Sequence, residues 1–129
     1  MSEDEANEGR RIRTEVLGAD YVARSGVVLS HYRRPLMELV TQFGWGSVWS
    51  RPGLDRRSRS LVTIAAMAAL RQQAELAVPV RGAVRSGVTA EEIQEVLLQI
   101  SVYCGAPTAA EAFGTAEAVL IEIGALEHP

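Results

Sequence analysis

Histidine and cysteine, the side chains most often used for metal binding and acid–base or nucleophilic catalysis, are scarce in this sequence. There are two histidines, His31 and one in the C-terminal tail, and Cys104 is the one cysteine. This set has no ligand spacing, so we expect no metal site. All 13 basic residues are arginines, which excludes chemistry that needs a lysine, such as a Schiff base. Cys104 is predicted to be a small buried core residue rather than a nucleophile.

The composition indicates that an all-α domain positions these residues. The chain has 129 residues, of which 47% are hydrophobic and only 5% are aromatic. Closely packed helices suit that composition better than a β-sandwich, which would need more β-branched and aromatic side chains. The length is sufficient for one domain with its own hydrophobic core.

The net charge and the single cysteine limit which binding partners and which cellular compartment we expect. The net charge is −3 and the arginines are scattered, so we expect no nucleic-acid partner. No apolar run approaches the roughly 20 residues that span a bilayer, so no membrane partner is expected. A single cysteine suits a reducing compartment, and the acidic first residues differ from a signal peptide. These features predict a cytoplasmic protein.

Apolar periodicity predicts a single-domain bundle of about six helices over residues 14–129, preceded by a flexible polar arm over residues 1–13. The predicted helices lie at about 19–29, 34–43, 55–71, 73–85, from 89 onward and from 108 onward. Residues 44–54 are predicted to form a structured loop, because three glycines and a proline interrupt the helical period.

Helix-start signals mark three of these helices. Asp55 is a plausible N-cap of the third helix, whose centre at 61–70 is apolar on almost every side and is expected to be buried. The segments 89–92 and 108–111 both have threonine followed three residues later by glutamate. This pattern predicts capping boxes that open the last two helices.

Three sequence blocks carry a resemblance to a known family. They read VLGADYV at 16–22, WGSVWSRPGLDRRSRSL at 45–61, and GVTAEEIQEVL at 87–97 followed by YCGAP at 103–107. In order and spacing they resemble the carboxymuconolactone decarboxylase family over about residues 14–122. The Trp–Ser–Arg–Pro–Gly–Leu–Asp segment is the most specific of these signals, whereas a capping-box segment alone would be weak.

The resemblance implies an all-helical fold shared with the alkylhydroperoxidases, and a homo-oligomer, a trimer or a hexamer, with pockets near subunit contacts. It also implies cofactor-free loss of CO₂ from 4-carboxymuconolactone, a small carboxylated lactone of aromatic catabolism in the β-ketoadipate pathway. Peroxidase activity is not expected, because that branch uses a Cys-x-x-Cys pair and this chain has one cysteine.

The implied reaction suggests substrate-binding residues. Such an enzyme must bind carboxylates, for which arginine is suited by bidentate pairing. Arg51, Arg59 and Arg81 are the candidates, and the alternative for each is a salt bridge without a role in binding. Trp45 and Trp49 are expected to pack the loop onto the core and could form one wall of a pocket.

The chain departs from the family at its leading acid–base position. The family usually has glutamate, leucine, two variable residues and then histidine, and here Glu75 is followed by Pro79 at the histidine position. Proline has no ionisable group, and inside a helix it removes a hydrogen bond and favours a kink. The substrate-binding site at Pro79 has therefore been either rebuilt or retired.

Three residues could replace the missing acid. Glu75 could hold a proton if a dry pocket surrounded it, and is otherwise an ordinary helix carboxylate paired with an arginine. Tyr103 could donate its hydroxyl proton, although a buried, satisfied tyrosine is more common. His31 could carry the proton, although a solvated residue at a helix entry is the more frequent role.

Three functions stay open from the sequence. The chain could decarboxylate carboxymuconolactone with a replacement acid. It could act on another small cyclic carboxylate, or on a phenolic or polyketide-type substrate. It could also be a non-catalytic, ligand-binding oligomer.

Overall fold

The computed structural model describes residues 3–27 and 30–129. These residues contain seven α-helices and one π-helix, and no β-strand. The helices are α1 (Glu3–Leu17), α2 (Ala19–Val27), α3 (Arg34–Val40), the π-helix (Thr41–Val48), α4 (Arg56–Ala69), α5 (Gln73–Arg85), α6 (Ala90–Cys104) and α7 (Ala106–Glu122). The all-α prediction is confirmed. The chain divides into two compact units between Asp55 and Arg56.

Helix α1 lies where the sequence predicted an arm without regular structure. Its buried residues are Ala6, Gly9, Ile12, Val16 and Leu17. This face packs against the π-helix. A Cβ atom at Gly9 would collide with the carbonyl oxygen of Thr41, and one at Gly46 would come within 2.5 Å of the Glu5 carbonyl oxygen. Two glycines therefore let the helix backbones approach closely, a contact that the polar composition of the segment conceals.

The π-helix continues α3 without a break, so the predicted loop is wrong for residues 44–48. The amide of Trp49 donates to the carbonyl of Gly44 over 2.9 Å, five residues earlier, as a π-helix requires. The Ser47 hydroxyl likewise donates to the Gln42 carbonyl over 3.2 Å. Packing of Gly46 on α1 explains how helical structure persists through glycines, because tertiary contacts outweigh local propensity.

The second unit is built around α4, which packs against α5, α6 and α7, while α5 and α6 also pack against α7. Its largest fully buried side chains are Ile64, Leu76, Val80, Ile93 and Leu97. Among the described helices, none combines the length and the apolar character needed to cross a bilayer.

The centre of α4 is less buried than its composition suggested. Ile64 and Ala68 are buried, but Val62 and Leu70 are 60% and 65% exposed. The expectation that residues 61–70 are buried on every side is therefore wrong. An apolar run predicts which residues prefer burial, but it does not provide a neighbour for each face of the helix.

The helix starts in the second unit follow the sequence signals in part. Helix α5 has the predicted bounds, and α4 begins directly after Asp55. The capping box of α6 is confirmed, since the Glu92 amide donates to the Thr89 hydroxyl over 3.1 Å and the Thr89 amide donates to the Glu92 carboxylate over 3.0 Å. In the first unit, α2 ends at Val27, and the last two residues of the helix predicted there lie outside the described residues.

The second predicted capping box is wrong. Helix α7 begins at Ala106, so Thr108 lies inside its first turn, where it is buried. Gly105 adopts a φ of 89° and permits a sharp link between α6 and α7. The Glu111 carboxylate instead accepts hydrogen bonds from Arg71 over 2.9 and 2.5 Å.

Candidate functional site

Helix α5 carries Glu75 and Pro79, one turn apart on the same face. The helix continues through Pro79, which is buried. Proline lacks an amide proton, so the Glu75 carbonyl loses the donor that a helix would otherwise supply four residues later. The Glu75 side chain is exposed and lies in the first turn of α5.

Arg81 lies elsewhere on the same helix, roughly 200° around its axis from Pro79. Its guanidinium donates to the Glu122 carboxylate at the end of α7 over 2.9 Å. The side chain of Arg81 is 19% exposed, whereas that of Glu122 is 64% exposed. Arg81 is therefore a partly buried cation that already holds one carboxylate, and a substrate carboxylate would compete with Glu122.

Arg59 lies in the first turns of α4 and is half-buried. Its neighbour Arg57 forms an ion pair with Glu92 of α6. The next residue, Ser60, is buried, and its hydroxyl has no hydrogen-bond partner among the described residues. An unsatisfied buried hydroxyl costs about 1–3 kcal/mol. This polar atom on the buried face of α4 had no sequence signal, because helix periodicity does not reveal which partners a side chain meets.

Tyr103 and Cys104 form the end of α6. Tyr103 is 79% exposed, so the common role of a buried tyrosine does not apply. Cys104 is exposed, and the prediction that it belongs to the core is wrong. Both residues occupy the last turn of a helix that ends at Gly105, where few neighbours remain to cover them.

Four candidates belong to the first unit. His31 is exposed in the turn that leads into α3. This is the solvated helix-entry position that the sequence offered as the alternative to a catalytic role. Trp45 and Trp49 are half-buried, and their rings contact each other with centroids 4.6 Å apart and planes tilted by 32°. Arg51 is exposed in the turn that follows. The tryptophans therefore form an aromatic pair at the end of the π-helix.

The structure brings only some of these candidates together. Glu75 and Pro79 share a face of α5, and Trp45 contacts Trp49, whereas Arg81 points away from Pro79 towards Glu122. Four of the candidates are exposed, so they have no dry pocket in the single chain: His31, Arg51, Glu75 and Tyr103. Within residues 3–27 and 30–129, no group of three His, Cys, Asp or Glu side chains could hold a metal.

One perturbed acid lies apart from these candidates. Hydrogen bonds from the Arg71 guanidinium lower the pKa of the Glu111 carboxyl below its usual value. Arg71 adopts a left-handed backbone with φ of 59° in the turn between α4 and α5. The pair ties this turn to α7, and we assign it a structural role.

Sequence reasoning missed a cavity of about 200 Å³ between α6 and α7. Its floor is apolar and includes Leu97, Phe113 and Leu120, and Glu91 and Glu117 line it from the two helices. None of the predicted site residues lines this cavity. No sequence signal pairs Glu91 with Glu117, because they lie on different helices and become neighbours only when α6 packs on α7.

Comparison with known proteins gives this arrangement a context. The model of the carboxymuconolactone decarboxylase family matches residues 34–118. The chain is 41% identical to 4-carboxymuconolactone decarboxylase of Acinetobacter baylyi, over 95% of this chain and 91% of the relative. It is 43% identical to nitrosuccinic acid decarboxylase of Metarhizium robertsii, over 82% of this chain and 74% of the relative.

A third relative has no assigned activity in its name. It is an uncharacterized 15.0 kDa protein of Paracoccus denitrificans, 36% identical over 60% of each chain. The family match covers about two thirds of the chain, and the Acinetobacter relative extends the similarity over nearly all of it. The chain therefore belongs to the carboxymuconolactone decarboxylase family and is a carboxy-lyase-like enzyme.

Proposed function

We propose that this chain removes CO₂, without a cofactor, from a small carboxylate whose reacting carbon is conjugated with an electron-accepting group. The first substrate to test is 4-carboxymuconolactone. The observation that carries this proposal is the 41% identity to a 4-carboxymuconolactone decarboxylase over 95% of the chain.

The proposed reaction needs only the substrate and a proton. The bond between the ring carbon and the carboxylate breaks, and its electron pair flows into the unsaturated lactone as CO₂ leaves. The lactone carbonyl oxygen becomes negative, and a proton then adds to carbon as the pair returns. The protein must hold the carboxylates, stabilise the oxyanion and deliver one proton.

Candidates for these tasks are proposed within each unit separately. In the second unit, Arg59 would bind a substrate carboxylate, and Arg81 would do so by exchanging Glu122 for substrate. In the first unit, Arg51 is the candidate for this role. Tyr103 is our first candidate for the proton donor, because its side chain is not buried against other atoms of its own chain. Glu75, in the first turn of α5, is the second.

His31 remains the third candidate donor, and the aromatic pair of Trp45 and Trp49 is proposed as an apolar wall that excludes water. Pro79 would shape the pocket without donating a proton. Its ring closes back on its own backbone nitrogen and carries no polar atom, so a site rebuilt around it has one fewer hydrogen-bonding group at this position.

A second substrate class is favoured by the other named relative. In nitrosuccinic acid, one carbon bears both a carboxylate and the nitro group. The electron pair left by CO₂ can therefore be held on the nitro oxygens. Both substrates therefore require an oxyanion site and a proton delivered to carbon. The 43% identity to nitrosuccinic acid decarboxylase, together with Pro79, supports a different carboxylate as the alternative.

We also propose that the enzyme is a cytoplasmic homo-oligomer, a trimer or a hexamer, with its site completed by a second subunit. Apolar side chains stay exposed on two helical faces, Leu36 and Phe43 on one and Val102 and Tyr103 on the other, each more than 60% exposed. Exposed apolar faces of this kind are typical of interaction surfaces. A subunit that covered Tyr103 would also supply the dry environment that the single chain lacks.

The first experiment follows the absorbance of freshly generated 4-carboxymuconolactone with the wild type, Pro79→His and Val78→His. The last variant is the matched control, because it places histidine at the adjacent position of α5. Turnover by the wild type supports a replacement acid. Turnover by Pro79→His alone means that the pocket is intact and that this chain uses another substrate. No turnover by any folded variant contradicts carboxymuconolactone as substrate, and nitrosuccinate is then assayed by release of CO₂.

If the wild type is active, Tyr103→Phe, Glu75→Gln and His31→Gln identify the donor. Loss of a general acid lowers kcat by roughly 10²–10⁴-fold. Cys104→Ala is expected to retain activity. A Tyr103→Phe variant with unchanged kcat would remove Tyr103 from the mechanism.

Light scattering tests the assembly. We expect the wild type to have the mass of a trimer or hexamer, and Val102→Glu to reduce that mass and the activity together. Gln99→Glu adds the same charge at an exposed polar position of α6 and is expected to change neither. An active wild-type monomer at micromolar concentration would contradict a site shared between subunits.

A further inference from the structure

We propose that the cavity between α6 and α7 is a second binding site, selective for a small apolar molecule that carries an ammonium group. None of the proposed decarboxylation residues lines this cavity. Glu91 lies twelve residues before Tyr103 on α6, which places their Cα atoms about 18 Å apart along the helix axis. The inference does not depend on the proposed reaction.

The apolar part of the ligand is indicated by the floor of the cavity. Leu97 and Leu120 are buried, and Phe113 is half-buried beside them. Leu126 closes one side, and its amide is tied to the Leu120 carbonyl by a 3.1 Å hydrogen bond. The volume of about 200 Å³ is below the roughly 300–1,000 Å³ of pockets that hold drug-sized ligands, so it suits a smaller molecule.

The charge of the ligand is indicated by the two walls. Glu91 lines the cavity from α6 and Glu117 lines it from α7, and no arginine lines it. Across the described part of the chain, neither carboxylate takes part in a hydrogen bond or an ion pair. Two unpaired carboxylates beside an apolar floor attract a cation and repel an anionic substrate. The ring of Phe113 offers a further favourable surface for an ammonium group.

The test compares three probes of nearly equal size on the full chain: 2-phenylethylammonium, 2-phenylethanol and phenylacetate. Binding is followed by NMR of the labelled methyl groups of Leu97 and Leu120. We expect saturable shifts at both residues, with the ammonium bound about three- to tenfold more tightly than the alcohol. Phenylacetate is expected to bind most weakly.

Two variants separate a local site from general electrostatic attraction. Glu91→Gln combined with Glu117→Gln is expected to abolish the preference for ammonium over alcohol. Glu95→Gln removes a single carboxylate charge from an exposed position of α6 outside the cavity and is expected to keep the preference. Both sets of substitutions are at exposed positions and preserve side-chain size.

Several results would overturn the proposal. Equal affinity for the three probes would show that the carboxylates do not select the ligand. Loss of the preference in Glu95→Gln would show that net charge alone produces it. Methyl shifts of Leu97 and Leu120 that depend on protein concentration without a probe would show that a second copy of the chain covers the cavity.

Discussion

The two compact units bury their helices by opposite means. In the first, Gly9 and Gly46 let the backbones of α1 and the π-helix approach each other. In the second, large aliphatic side chains such as Ile64 and Leu97 fill the space between helices. A core of large side chains is weakened when volume is removed, whereas a glycine contact is weakened when volume is added. Substitutions of opposite kinds should therefore destabilise the two units.

The largest effect is expected for Leu97→Ala. Leu97 is fully buried in the second unit, so the substitution loses transfer free energy and leaves a cavity, at about 2–5 kcal/mol. Urea unfolding at fixed protein concentration measures the change in the free energy of unfolding. Gln99→Ala on the same helix alters no buried volume and serves as the control. A loss below 1 kcal/mol for Leu97→Ala would contradict this view of the second unit.

Gly9→Ala is the corresponding test of the first unit. The added methyl group would collide with the backbone of Thr41, and overpacking of this kind costs about 1–3 kcal/mol. Gly44→Ala is the matched control, because beyond its neighbours in the chain and the backbone of its own helix no atom lies within 4 Å of the added Cβ. It is expected to stabilise the helix by about 0.5–1 kcal/mol. Hydrogen exchange of the α1 amides measures both, and effects of the same sign would contradict the backbone-contact argument.

A smaller loss is expected when a helix start is weakened while the core volume is kept. Thr89→Ala removes the hydroxyl that accepts from the Glu92 amide, at a typical cost of about 1 kcal/mol. Glu92→Gln keeps a capping box, because glutamine can also reach back to the Thr89 amide. In thermal unfolding, the melting temperature of Thr89→Ala should be lower than that of Glu92→Gln. The reverse order would mean that the Arg57–Glu92 ion pair contributes more to stability than the cap.

The smallest effect concerns the exposed Arg71–Glu111 pair. Hydrogen bonding by Arg71 lowers the pKa of Glu111 in the folded chain. The stabilisation is therefore present above the pKa of an unfolded glutamate, about 4.3, and is lost as the pH falls through the lower folded value. The difference in stability between wild type and Glu111→Gln should shrink between pH 6 and pH 3. A constant difference over that range would show that charge is not the cause.

Much of the second unit could be predicted from sequence because its signals are local. Thr89 and Glu92 predict the start of α6, and the apolar face of this helix begins directly afterwards with Ile93 and Leu97. Helix α1 was not predicted, because its buried face depends on Gly9 and Ala6, which are only weakly hydrophobic. The π-helix was not predicted, because glycines indicate the end of a helix unless the packing partner that stabilises them is known.

The site could be predicted only in part, for a similar reason. Pro79 could be recognised from the sequence as a proline inside a predicted helix, since this concerns one residue type at one position. Exposure of Tyr103 and Cys104 is not visible, because it depends on what packs beyond the last turn of α6. The cavity lined by Glu91 and Glu117 arises from the packing of two helices, and neither helix contains it alone.

The π-helix also sets how this part of the chain could tolerate changes in length. A π-helix fits more residues into each turn than an α-helix. Deleting one residue within Thr41–Val48 could therefore be absorbed by rewinding this stretch as α-helix, with Trp49 and the following turn kept near their present orientation. The same deletion in α4 has no such reserve, and it would rotate every later side chain by about 100° around the helix axis. Single-residue insertions and deletions among homologues are therefore expected to collect at 41–48.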